Sequence, residues 1–186
     1  LSENLQSWRG TVDASIARLA AASLTADRLT AKAAFDGTSV ATTIDVDANM
    51  AQLHGTDFAA NMVAVTAKGV VGSKAPVIDG RLRFSRARAS AALQSSIVGS
   101  VKGLTGSPVG PLASRAAAAL ARMIADVGGE AAFALRGDGK DARIDLLAPA
   151  LASASGARFT GSADSRISYT FGVPAVVAHG SWTFGG

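Results

Sequence analysis

Apolar and polar residues alternate along most of the chain. Between positions 40 and 48, Ile44 and Val46 fall on one face of an extended backbone, while Asp45 and Asp47 fall on the other. A period of two is typical of a strand that is buried on one side only. The same alternation predicts further strands at 24–35, 80–84, 131–135, 143–147, 167–171 and 181–184.

Turn signals separate most of these runs. Asp-Gly at 36–37 and at 79–80, and Gly-Gly at 128–129, are examples, and such pairs favour tight connections between strands. The succession of runs and turns predicts a mainly β chain with a helical insertion, an α+β fold class in the broad sense. We expect an antiparallel meander that forms a curved, open sheet or groove.

One segment follows a helical period instead. After Pro111, alanine, the strongest helix former, is frequent, and the apolar residues share one helical stripe. The stripe comprises Leu112, Ala116, Ala119, Leu120, Met123, Ile124 and Val127. Proline suits the first helical turn and Gly128 suits the C-cap. The pattern predicts one helix at about 111–127, laid against or across the sheet.

Two stretches fit more than one structure. Residues 1–20 show both helical and alternating spacing, and we favour a strand there; residues 93–104 fit either a second short helix or a loop. The chain is expected to be a single segment, 1–186, of a larger β-groove protein. Its predicted parts are strands over 1–92, a helical insertion over 93–128 and strands over 129–186.

The composition excludes several classes of protein. The chain has 48% hydrophobic and 5% aromatic residues, no cysteine and a formal net charge of +4. Disulfide frameworks and thiolate sites are therefore excluded, and a disordered tail does not fit. No run of about 20 uninterrupted apolar residues predicts a membrane span. Because neither an initiating methionine nor a signal sequence is visible, we expect a piece of a longer polypeptide.

The sequence contains no recognisable catalytic or metal-binding pattern. His54 and His179 belong to no metal-ligand spacing. Asp45 and Asp47 form a carboxylate pair, but they lie on the polar side of a predicted strand, where charged residues are ordinary. We therefore expect no enzyme activity, no catalytic residue, no metal and no cofactor.

A dense basic cluster consists of Arg81, Arg83, Arg86 and Arg88. It is either a solvated strand face whose alternation slips after Ser85 or a surface for anionic head groups. Nucleic acid is the least favoured partner, because a single aromatic residue in this run is available for stacking on bases.

The apolar positions of successive predicted strands form a candidate surface rather than a point site. They are expected to line one side of the sheet, as an ordinary sandwich core or as the inside of an open sheet that shelters something apolar. The set comprises Ile44, Val46, Leu82, Phe84, Phe133, Leu135, Ile144, Leu146, Ile167, Tyr169 and Phe171.

Residues 24–37, LTADRLTAKAAFDG, resemble the repeating strands of the AsmA-like superfamily, in which the pattern L-x-A-x-x-L-x-A-x-x-x-x-D-G recurs. The stretch 154–161, followed by the alternating run 167–171, is similar to the YdbH branch of that superfamily. The resemblance covers most of the chain.

The resemblance implies a non-enzymatic segment of a lipid-conducting β-groove in the periplasm of Gram-negative bacteria. The full-length protein would be anchored in the inner membrane by parts of the chain outside this sequence. Its implied partner is phospholipid or another apolar lipid, carried between the inner and outer membranes, and not nucleic acid. The alternative is a structural β-sandwich or solenoid fragment of a bacterial surface or adhesin-type protein.

Overall fold

The computed structural model describes residues 7–21, 23–38, 40–72, 75–104, 106–137, 142–170 and 176–186. About 68% of the described residues are strand, arranged as one open antiparallel sheet that does not close on itself, and two α-helices accompany it. This confirms the predicted fold class: mainly β, with a meandering open sheet and a helical insertion.

Eleven strands and two helices follow one another along the chain. The strands are β1 (Ser7–Ala21), β2 (Leu24–Thr38), β3 (Ala41–His54), β4 (Phe58–Gly72), β5 (Val77–Ala89), β6 (Val127–Gly137), β7 (Ala142–Ser153), β8 (Arg158–Gly161), β9 (Arg166–Thr170), β10 (Val176–His179) and β11 (Trp182–Gly185). The helices, α1 (Ala91–Ser100) and α2 (Gly110–Met123), lie between β5 and β6 with a short 3₁₀ turn (Lys102–Leu104) between them.

The first seven strands pair in chain order, and the sheet then forks. The first half of β7 pairs with β9, which pairs with β10, whereas its second half pairs with β8, which pairs with β11. The fork lies at Ala148, where φ is +42°, and Pro149, which has no N–H for the ladder. The Ala148 N–H donates instead to the Ser165 carbonyl at 3.0 Å, and Ser165 is fully buried in the fork.

Several sequence-based expectations change in detail. The ambiguous N-terminal stretch is a strand from Ser7 onward, and α1 shows that the short-helix reading of the next ambiguous stretch is correct over most of its length. The predicted end of the main helix is wrong: α2 ends at Met123. Val127 begins β6 and pairs with Ser153, so Gly128 is a strand residue rather than a helix cap. β4, β8 and β10 were not among the individual strands predicted, although they lie within the ranges 1–92 and 129–186 that were predicted to be strands.

Positive backbone angles recur in alternate strands. Arg18, Gln52 and Arg86 have φ of +60°, +51° and +49°, and they lie 34 residues apart on β1, β3 and β5. At each one the alternation slips by one residue: in β3 the half-buried positions are even from Thr42 to Met50 and odd from Ala51 onward. The slip keeps apolar residues on one side of the sheet along the whole strand, and it explains the altered phase after Ser85.

We expect substitution of Gln52 to reveal this constraint. Gln52→Val should lower the free energy of unfolding by about 1–2 kcal/mol, because a β-branched residue is disfavoured at positive φ. Thr43→Val, at an exposed position with ordinary strand geometry in β3, should be close to neutral. Urea unfolding of both variants checks this, and equal effects would show that position 52 carries no special backbone constraint.

The helices meet the sheet at the ends of its strands rather than across a face. Ser90 caps α1 by accepting a hydrogen bond from the Leu93 N–H at 3.1 Å, and its own N–H donates to the Asp57 carbonyl at 2.8 Å. At the other side of the insertion, the Ala89 N–H donates to the Ile124 carbonyl at 2.8 Å. The expectation of a helix laid across the sheet is therefore wrong in its placement.

Little of the chain is fully buried. Six of the nine buried hydrophobic residues in the described part are alanine, and none is Leu, Ile, Phe or Trp. The accessible surface is 12021 Å², whereas a compact monomer of this mass would expose about 8,200 Å². The large apolar side chains therefore lie on a sheet face with no second layer.

Candidate apolar face of the sheet

The ten described members of the predicted apolar set all lie on one face, here called the inner face. Directly opposed residues of antiparallel strands point to the same side, so each row of opposed residues across the sheet forms one level. The register places the ten residues at four successive levels along the strands. In order, these levels hold Ile44, Leu135, Ile144 and Tyr169; Val46, Phe133, Leu146 and Ile167; Leu82; and Phe84. Phe171, the eleventh member, lies outside the described residues.

Residues beyond the predicted set complete the same four levels across the sheet. For the members on β1 and β4, the signal in the sequence is the alternation at 10–16 and 63–69. They include Phe35 and Ile78 at the first level; Val12, Ala33 and Ala67 at the second; Ala14, Ala48 and Val65 at the third; and Ile16, Leu29, Met50, Val63, Leu151, Phe159 and Phe184 at the fourth.

Phenylalanine rings lie over glycines of neighbouring strands. A Cβ added at Gly80 would lie 2.5 Å from Cζ of Phe133, and one added at Gly10 would lie 2.5 Å from Cζ of Phe35. Each ring therefore covers backbone where its neighbour has no side chain. The result is an apolar wall on which bulky residues lie along the sheet instead of projecting from it.

The dimensions of the inner face suit an extended hydrocarbon chain. Six residues separate the first and fourth levels, which corresponds to about 20 Å along a strand, and the eight strands from β1 to β9 in sheet order span about 34 Å. Half the hydrocarbon thickness of a bilayer, roughly one acyl chain, is about 15 Å. An acyl chain therefore fits on this surface in either direction.

No element of the described chain covers the inner face. Val12 is 50% exposed, Ile16 41% and Phe184 49%. Ala33 on this face is nonetheless half-buried, whereas the adjacent Ala34 on the opposite face is exposed. Ala33 lies directly between Val12 and Val46 on the neighbouring strands, whose apolar side chains cover it.

The opposite, outer face carries cross-strand ion pairs. Lys68 lies 2.7 Å from Asp45, Arg83 2.9 Å from Glu130, and Arg9 pairs with Asp36. These pairs are exposed, so each contributes little to stability. Together they make the outer face polar and well hydrated.

The basic cluster belongs to this charged exterior. All four arginines are exposed, and Arg86 lies 3.0 Å and Arg88 3.8 Å from Asp126. The slip in alternation that the sequence predicted after Ser85 occurs at Arg86. The geometry thus favours a solvated strand face for this cluster.

Asp145 is a buried carboxylate where β7 meets β9. The Nε–H of Arg143 donates to it at 2.7 Å, and an Nη–H of the same arginine donates to the Ser168 hydroxyl at 2.9 Å. Burial works against ionisation, but hydrogen bonds from Ser168 and Arg143 and the charges of Arg143 and Arg166 outweigh it and lower the pKa of Asp145. This cluster holds the fork together and leaves no unpartnered group for chemistry.

Asp145→Asn should destabilise the protein at pH 7 by about 1–3 kcal/mol, because Arg143 loses its charged partner. Since the folded-state pKa is lowered, the contribution of Asp145 is complete above about pH 3.9 and is lost as the pH falls through that lowered pKa. The difference in free energy of unfolding between Asp145→Asn and wild type should therefore become smaller at acid pH. Urea unfolding at neutral and acid pH checks this, with the exposed Asp47→Asn as a control expected to change stability by less than about 0.5 kcal/mol. A gap that persists unchanged in acid would contradict the assignment.

The remaining candidate groups form no site. His54 and His179 are both exposed and lie at the ends of β3 and β10. Within the described ranges, no cluster of three histidines or carboxylates could hold a metal ion, and no helix has the length and apolar character to cross a membrane. Comparison of the chain with protein-family models, curated proteins and solved structures found no match.

Proposed function

We propose that the inner face shelters the acyl chains of phospholipid or of another apolar lipid, and that the chain is a non-enzymatic segment of a lipid-conducting β-groove. One observation carries the proposal: a continuous apolar face, uncovered by any described element, is backed by a charged, solvated face. A soluble protein rarely leaves so large an apolar patch open unless something binds there.

The chemistry of the wall suits a cargo that slides. Alanine, valine, leucine and isoleucine provide apolar contact without a pocket that fits one lipid only. Each methylene removed from water is worth about 0.8 kcal/mol, so shielding ten of them is worth about 8 kcal/mol before any polar contact is made. Binding would be strong in total and weakly selective for the head group.

The resemblance to the AsmA-like superfamily supports a location for this activity. In that setting the chain lies in the periplasm, and the full-length protein is anchored in the inner membrane through segments outside this sequence. Lipid then moves along the groove between the inner and outer membranes of a Gram-negative cell.

The alternative role, a structural fragment of a bacterial surface or adhesin-type protein, assumes that the chain folds as a β-sandwich or a solenoid. A sandwich needs a second packed sheet, and a solenoid needs coiled, repeated parallel strands. The described residues form a single antiparallel meander, so no feature of this fold favours that role.

Lipid extraction from the purified protein tests the proposal. We expect native mass spectrometry to detect protein carrying phospholipid, and organic extraction to release it. A stable, lipid-free monomer purified from membrane-containing cells, with no lipid gained on incubation with phospholipid micelles, would overturn the proposal.

A further inference from the structure

The apolar stripe of α2 is exposed in its first part, at Leu112, and buried at its end, at Met123. Leu112 is 72% exposed and Leu120 is 38% exposed, whereas Ala117 and Ala121 are buried. An amphipathic helix in a globular protein normally turns its larger apolar residues inward. Here Leu112 remains largely exposed at the start of the helix, although Met123 of the same stripe is buried.

Other apolar side chains of the insertion are exposed as well. Val109, just before α2, is 56% exposed, and Leu93 and Val98 of α1 are 39% and 40% exposed. They belong to the same pair of packed helices at one end of the sheet. The insertion thus presents several leucine and valine side chains to its surroundings.

The charged residues between the start of α1 and the end of α2, Lys102, Arg115 and Arg122, are all basic, whereas Asp57 lies at the start of α1. Between Asp79 and Asp126 the sequence contains seven lysine and arginine residues and no acidic residue. Arg115 and Arg122 are exposed on α2, on one flank of the leucine stripe, and neither forms an ion pair with a described carboxylate.

We infer that the helical insertion docks on a bilayer surface that carries anionic head groups. A helix with an apolar side and flanking arginines lies in the membrane interface, with the apolar side among the acyl chains and the cations among the phosphates. A second copy of this chain fits less well, because its insertion would bring like charges together. This contact goes beyond the proposed function, which concerns single lipids on the inner face.

The position of the insertion suits such a contact. A hollow of about 250 Å³ lies between α2 and the last strand, and its lining includes Ala119, Arg122 and Phe184. Phe184 belongs to the fourth level of the inner face and pairs with Phe159. A bilayer bound to α2 would therefore lie next to one margin of the apolar wall.

Vesicle flotation tests the inference. We expect wild-type protein to float with phosphatidylcholine vesicles that contain phosphatidylglycerol, to do so poorly with phosphatidylcholine alone, and to lose binding in high salt. Leu112→Asp/Leu120→Asp should reduce binding at least about tenfold. Val40→Asp/Val77→Asp adds the same charge at two exposed apolar residues at the other end of the strands and should bind like wild type.

The cations are tested separately. Arg115→Gln/Arg122→Gln should weaken binding about fivefold for each arginine removed and reduce its salt dependence. Circular dichroism confirms that each variant is folded. Four results would each overturn the inference. They are equal binding to both vesicle types, no binding by wild type, an equal loss of binding in the Val40/Val77 control, and a wild-type dimer that Leu112→Asp dissociates. Ala67→Asp, on the inner face, should lose bound lipid and still float, so failure here and failure of the proposed function are distinguishable.

Discussion

Ala67→Asp should abolish retention of phospholipid while the sheet remains folded. Ala67 lies on β4 at the second level of the inner face, between Val46 and Gly80. A carboxylate there stays hydrated in the empty protein but would lose water beneath an acyl chain, which costs several kcal/mol without a partner charge. We expect the bound phospholipid, measured by extraction and mass spectrometry, to fall at least about tenfold.

The matched control is the same substitution three residues earlier. Ala64 lies on the outer face of β4, between Asn49 and Arg83, so a carboxylate there meets water and a cation. Ala64→Asp should retain lipid like wild type. If both variants lose lipid equally, or neither does, the inner face is not the binding surface.

Gly80→Ala is expected to be strongly destabilising for so small a change. The added Cβ would lie 2.3 Å from the Thr66 carbonyl oxygen and 2.5 Å from Cζ of Phe133. The ring can move, but the carbonyl belongs to the ladder between β4 and β5 and cannot move without breaking it. We expect urea unfolding to show a loss of about 1–3 kcal/mol.

Gly128→Ala provides the comparison. Gly128 also lies in a strand, and the nearest atom to an added Cβ is the Phe84 carbonyl oxygen at 3.4 Å. Its substitution should change the free energy of unfolding by less than about 0.5 kcal/mol, because alanine also limits the unfolded chain. Comparable losses in the two variants would show that the close contacts of an added Cβ with the Thr66 carbonyl and the Phe133 ring are not what makes Gly80 necessary.

The alternation of apolar and polar residues predicted most of the fold, because one side of each strand is apolar. Ile44 and Val46 identify the strand and its inner side without knowledge of any neighbour, and residues opposite them keep that side in any antiparallel register. The arrangement of Phe133 over Gly80 was not predictable in this way. It depends on which residues of two distant strands are opposed, and only the register supplies that.

The helical insertion shows where local pattern is insufficient. The stripe from Leu112 to Leu120 indicates a helix, but periodicity does not say which side meets the protein. Here Ala117, Ala121 and Met123 are buried, whereas Leu112 is largely exposed. The bulges at Gln52 and Arg86 were also missed as backbone features, since neither residue type marks a positive φ as glycine or asparagine would.

Photo-cross-linking at two adjacent residues of β1 tests most directly whether the inner face holds lipid. Val12 lies on the inner face and Thr11 on the outer face, and both are exposed, so benzoylphenylalanine is tolerated at either position. After irradiation of protein purified from cells, we expect adducts with the mass of a phospholipid at Val12 and none at Thr11. Lipid adducts at both positions, or at Thr11 alone, would contradict a lipid-sheltering inner face.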